Sequence, residues 1–133
     1  MTTDVENSRI SVWKEGSRLF NLDPLPSIIS GTITAAQSDI SMSPNWSGYR
    51  KFGRVVTVWG SFNDQTPETD SAVIQGLPLP DISSGHNIVF GGVAQSNKQG
   101  RLKLKSDGKI YWDAGDYIAS AYVSFNFSYI SAS

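Results

Sequence analysis

Trp46-Ser-Gly-Tyr-Arg-Lys-Phe-Gly-Arg-Val-Val-Thr-Val-Trp-Gly-Ser-Phe62 decides the fold class. An aromatic-rich approach passes through Gly53 into a run of β-branched residues, whose stiff side chains suit a pleated strand better than a helix. Val55, Val56, Val58 and Trp59 place apolar groups on both faces of that strand, so it predicts cover on each side, from a neighbouring sheet or a subunit. No convincing helical pattern competes with it elsewhere in the chain.

Towards the C-terminus, Ala119, Ala121, Val123, Phe125, Phe127 and Tyr129 fall on one face of a strand, with Ser120, Ser124, Asn126 and Ser128 opposite. Before it, Arg101 to Lys105 and Lys109 to Asp113 read as a hairpin. A three-residue Ser106-Asp107-Gly108 loop pairs Leu104 with Ile110 and Leu102 with Trp112, whereas a two-residue loop would set Leu102 against Asp113. The first register separates apolar from charged residues and is the one expected. It puts Gly108 in the left-handed region, Trp112 in the core, and Lys103 with Tyr111 on an ordinary solvent face. Asn87 to Ala94 is a further strand, in which Gly91 and Gly92 signal a bulge or a close backbone approach and a bend in the sheet. Ser27 to Thr34, Ile40 to Met42 and Ala72 to Ile74 read as shorter strands, and Asn63 to Asp70 as a solvated acidic loop.

At the N-terminus, residues 1 to 7 read as a disordered or extended leader. Arg9 to Trp13 and Arg18 to Leu22 then flank Lys14-Glu15-Gly16-Ser17 as a hairpin, and Asp23-Pro24-Leu25-Pro26 forbids continued pairing. The chain thus divides into an attachment segment, 1–26, and a main domain, 27–133. Roughly eight to ten short strands without helical crossovers indicate an all-β antiparallel sandwich, jelly roll or barrel.

With 133 residues the chain can bury about two thirds of its unfolded surface. The 11 basic and 12 acidic residues leave a net charge of −1, and Lys98, Arg101, Lys103, Lys105 and Lys109 form only a local cluster, which argues against nucleic acid as a partner. The absence of cysteine leaves packing or oligomerisation to hold the fold. The polar start lacks the basic and apolar regions of a signal peptide, and no stretch approaches the length of a membrane helix, so the expectation is a soluble product without membrane insertion.

Catalytic patterns are poor. There is one histidine and no cysteine, no Gly-x-Ser-x-Gly elbow and no phosphate loop, and no cofactor or metal is expected. Asp113 and Asp116 could serve a glycosidase, but aspartates beside Ala114-Gly115 read first as turn formers. Asp64, Glu68 and Asp70 lack calcium-loop spacing. Saccharide binding is the activity the composition supports, because sugar C–H patches stack on aromatic faces while hydroxyls need planar polar partners. The candidate aromatics are Trp46, Tyr49, Tyr111 and Tyr117, and the candidate polar partners are His86, Arg101, Asp113 and Asp116. Trp59 and Trp112 are assigned to the core.

The order of Trp46 to Gly60, Ile74-Gln-Gly-Leu-Pro78, Leu102-Lys-Leu-Lys-Ser-Asp-Gly-Lys-Ile110 and Tyr122 to Ile130 resembles the heads of receptor-binding and tail-fibre proteins from tailed phages of Gram-positive hosts. The resemblance covers 27–133 and rests on strands and turns, so it transfers no binding residue. It implies a homotrimer of β-sandwich heads that adsorbs the virion to host cell-wall saccharide without enzymatic activity. It further implies a place at the phage tail tip or baseplate, assembly in the host cytoplasm, and attachment to other tail proteins through 1–26. That segment departs from many fibre proteins in lacking a heptad shaft. The alternatives are a structural tail, baseplate or capsid-decoration protein that ignores glycans, and a polysaccharide depolymerase.

Overall fold

A computed structural model describes residues 2–6, 9–14, 17–21, 27–94, 97–113 and 117–133, with backbone alone for the residues before 27. Among the described residues the fold is all-β, with every strand pairing antiparallel and one 3-10 turn. Strands β1 (Thr2–Glu6), β2 (Arg9–Lys14) and β3 (Ser17–Asn21) make a three-stranded sheet. The expected hairpin is β2–β3, and the leader is itself a strand, pairing Thr2 with Trp13 and Glu6 with Arg9. The proline connector and the boundary at residue 26 lie outside the described residues.

The second sheet has ten strands: β4 (Ile28–Gly31), β5 (Thr34–Ala35), β6 (Ile40–Met42), β7 (Gly48–Phe52), β8 (Val55–Asp64), β9 (Ala72–Gln75), β10 (Asn87–Ala94), β11 (Gln99–Lys105), β12 (Ile110–Trp112) and β13 (Tyr122–Ile130). Its order is β4-β7-β8-β13-β10-β11-β12-β9-β5, with β6 also on β8. The two ends of that path, β4 and β5, are separated in the chain only by Thr32 and Ile33, so the sheet has to curl round on itself. Curling brings β8 opposite β12, where Phe62 meets Trp112 with ring centroids 5.5 Å apart, and encloses a sandwich-like core. Val56, Val58, Val73, Ile74, Leu102, Leu104, Ile110 and Val123 fill it with no solvent exposure.

The Leu102–Trp112 and Leu104–Ile110 pairs form as the charge segregation requires. Gly108 closes the loop at φ +76°, and a Cβ there would stand 2.8 Å from the Leu77 carbonyl oxygen. Gly108→Ala is therefore expected to cost about 1–3 kcal/mol, read as a lower urea midpoint. In β13, Val123, Phe125 and Tyr129 are buried on one face, as the alternation predicts.

Several expectations change. The double cover of the Val55–Trp59 strand is absent from the monomer: Val56 and Val58 are buried, but Val55 is 46% exposed and Trp59 is half-buried on the outer face, with the Arg50 guanidinium 5.9 Å from its ring centroid. Nothing bulges at Gly91-Gly92, since β10 runs in continuous register with β11 from Asn87–Lys105 to Val93–Gln99. Close approach is the reason for Gly92, where a Cβ would meet Val123 Cγ1 at 2.6 Å. The run from Ile28 to Thr34 breaks into β4 and β5, and Asp64 belongs to β8 instead of a solvated loop.

Candidate functional site

Two strands share one edge of β8: β7 pairs with Val55–Trp59 and β6 with Phe62–Asp64. The chain joining them lifts off opposite Gly60 and Ser61 as a 3-10 turn, Pro44–Trp46. Hydrogen bonds pin this turn to β8 on both sides: Ser43 N donates to Ser61 O at 2.9 Å, and Ser61 N donates to Ser47 Oγ at 3.2 Å. Trp46 ends the turn and is 61% exposed. An indole so far in water forgoes the burial that usually stabilises it, although its backbone is held in place.

Trp46 forms the ridge between two concavities of the outer face. The larger, about 580 Å³, is lined by Ser43, Ser61, Asn63, Ser120, Ala121 and Tyr122 as well as Trp46. The smaller, about 300 Å³, adjoins Trp59, Gly91, Val93, Ser124 and Asn126. Neither wall carries an ionisable acid or base apart from the Tyr122 phenol. Ser120 lies in the left-handed region at φ +53°, uncommon for a residue with a Cβ, and its N–H donates to the Asp64 carbonyl at 2.8 Å. Aromatic faces, an amide and several hydroxyls around a roomy concavity suit a neutral polyhydroxylated ring.

Four of the other predicted residues gather elsewhere, on the outer face of the β11–β12 hairpin. Arg101 Nε donates to Asp113 Oδ2 at 2.6 Å, and Lys103 Nζ lies 3.5 Å from Asp113 Oδ1. Lys103 also bonds Asp70 Oδ1, which stands 3.3 Å from Lys105 Nζ. Lys105 lies 4.2 Å from the Tyr111 ring centroid, and the Tyr111 hydroxyl donates to Asp107. His86 joins Asp70, Lys103, Lys105 and Asp107 around a cavity of about 460 Å³. Lys103 is thus not on an ordinary solvent face; its side chain is only 9% exposed, because the acids over it supply the partners a covered ammonium needs.

The Lys103 hydrogen bond, with Lys105 second, holds the Asp70 carboxyl below the usual range. Asp70 in turn raises Lys103 against the opposing effect of desolvation. A lowered carboxylate contributes stability above its ordinary pKa, lost as pH falls through the lowered value. A raised lysine contributes below its ordinary pKa, lost as pH rises through the raised value. The pair therefore stays closed across the neutral range. Burial, then the Asp107 bond, pushes the Tyr111 phenol up to about 12.

Of the eight predicted residues, His86, Arg101, Tyr111 and Asp113 share the hairpin face, and Trp46 stands at the separate β8 site. Tyr49 is half-buried against the core, its ring over Gly31. Tyr117 is exposed and lies edge-on to Trp112, with centroids 6.4 Å apart. Asp116 lies outside the described residues. Sequence reading missed Asn63, Ser120 and Tyr122. The available signal was Tyr122, an aromatic in phase with the polar side of β13.

No protein-family model and no curated protein matches the sequence. Among solved structures, the receptor binding protein gp15 of Listeria phage PSA is similar in fold, with a TM-score of 0.62 and 20% sequence identity over 81% of this chain and 67% of that one.

Proposed function

We propose that this chain is a receptor-binding head of a tailed phage that recognises host cell-surface saccharide through the outer-face cavity beside Trp46. The observation that carries the reading is the exposed indole, fixed on a stapled turn between hydroxyl-lined concavities. The likeness in fold to a phage receptor binding protein supports the setting. In this reading the protein works at the virion tail after assembly in the host cytoplasm, binds its ligand without chemistry, and docks to other tail proteins through 1–26. The hairpin-face residues His86, Arg101, Tyr111 and Asp113 are the second candidate sugar contacts.

A homotrimer belongs to the same proposal. Ile28, Phe52, Val55 and Ile130 are all exposed and lie in cross-strand register along one row over β4, β7, β8 and β13. Such a row suits burial against another copy. It lies six residues along β8 from Ser61, the nearer β8 residue of the larger cavity, about 20 Å at 3.3 Å per residue, so association at the row leaves that cavity open. The same row favours the second reading, a structural tail or decoration protein. For a depolymerase the geometry offers less, since Asp113 is engaged by Arg101 and Lys103.

The test is binding of the purified chain to Gram-positive cells and their wall polysaccharide, with particle mass from light scattering. The expected result is three chains of 14.5 kDa and binding that free polysaccharide competes away. A trimer that ignores every polysaccharide favours the structural role, and a non-binding monomer overturns both readings.

A further inference from the structure

The hairpin-face cavity holds a second device, independent of the Trp46 reading. Lys103 and Lys105 sit two residues apart on β11, so both side chains leave the same face. Their ammonium groups converge on one oxygen, Oδ1 of Asp70. The neighbouring acids are shared with other groups: Asp113 reaches Lys103 only at 3.5 Å while holding the Arg101 guanidinium at 2.6 Å, and Asp107 takes the Lys109 N–H at 2.9 Å and the Tyr111 hydroxyl. Two cations therefore depend chiefly on one carboxylate.

That carboxylate is more exposed than either lysine it holds. Asp70 belongs to the loop between β8 and β9, its side chain is 57% exposed, and its backbone is left-handed at φ +59°. The loop is nonetheless tied to β12: Asp70 N donates to the Trp112 carbonyl and Trp112 N to the Ser71 carbonyl, each at 3.2 Å. The backbone can thus stay in place while the side chain turns out. The acid end of both pairs stands in water, which weakens its hold, so a ligand anion with hydrogen bonds of its own can take its place on the two ammonium groups. Ser84, His86, Asn87 and Ser106 line the same cavity and supply hydroxyl, imidazole and amide partners.

We propose that this cavity binds a carboxylate- or phosphate-bearing ligand, for which Asp70 is a tethered stand-in that the ligand's anion displaces from Lys103 and Lys105. The ligand's remaining hydroxyls then meet the 84–87 turn. Asp70 acts as an internal competitor, so removing its charge strengthens binding. A merely structural ion pair would not produce that sign.

The experiment titrates the full chain with glucuronate and with glucose 1-phosphate, using glucose as the neutral control, and follows the amide signals of 84–87 and the His86 ring by NMR. Saturable shifts are expected with at least one anion and none with glucose, and the two anions distinguish carboxylate from phosphate recognition. Asp70→Asn should tighten binding about fivefold, the equivalent of one exposed ion pair, and Lys105→Met should weaken it by at least as much. Asp70→Gly, which suits the left-handed backbone, provides a second charge-free variant and should behave like Asp70→Asn. No saturable shift with either anion in wild type and both Asp70 variants would overturn the proposal, as would Asp70 variants that bind no tighter than wild type.

Discussion

Asp64→Ala is expected to lower the unfolding free energy by about 3 kcal/mol, although the residue looks like part of a polar loop in the sequence. Asp64 is almost fully buried at the end of β8. Its Oδ2 accepts from Trp112 Nε1 at 2.8 Å and its Oδ1 from the Thr66 N–H at 3.1 Å. Trp112 is the largest wholly buried side chain among the described residues, so its indole N–H has no water to turn to once the carboxylate is gone. An unsatisfied buried donor costs about 1–3 kcal/mol, and the space left by the side chain adds to it. Trp112→Phe removes the donor and keeps most of the ring, so Asp64→Ala should cost measurably less in that background. Urea unfolding of the four proteins checks this, with unchanged m values and a coupling energy of about 1 kcal/mol or more. A loss below about 1 kcal/mol for Asp64→Ala would show that the buried bond contributes little net stability.

What the sequence reveals here follows the range of the interactions involved. The β11–β12 register is legible because two short apolar runs flank one turn, and a single criterion, keeping Leu102 away from Asp113, selects the pairing. The buried face of β13 is legible for the same local reason. Asp64 is not, because its partner Trp112 lies 48 residues away and only the curled sheet brings them together. The cover over Lys103 is hidden likewise, since Asp70 arrives from another loop in a left-handed conformation that no local signal marks. What lies over the second face of β8 is not legible, because apolar residues at Val55 and Trp59 carry no statement of who covers them. In the monomer Arg50 partly covers Trp59, and Val55 stays open. The candidate site shows the same division. Trp46 is visible as an aromatic outside any strand pattern, whereas the cavity beside it depends on Asn63, Ser120 and Tyr122 meeting across β8 and β13.

Trp46→Ala is expected to reduce saccharide binding by about 30-fold or more, the effect of losing an interface residue worth about 2 kcal/mol. Its effect on stability should be small, because the indole is exposed and the turn is held by the backbone of Ser43 and the hydroxyl of Ser47 rather than by the ring. That separation of binding from stability is the useful property of the position. Trp46→Phe keeps an aromatic face for sugar C–H groups and should lose less. Equilibrium binding of the three proteins to host polysaccharide, alongside urea midpoints, checks both halves. The competing location predicts the opposite pattern: if Tyr111→Ala or Asp113→Ala abolishes binding while Trp46→Ala retains it, recognition belongs to the hairpin face. Tyr111 and Asp113 are already engaged by Asp107, Arg101 and Lys103, so a sugar arriving there must break existing bonds. A sugar arriving at Trp46 displaces only water from an apolar ring, and for that reason the larger loss is assigned to Trp46.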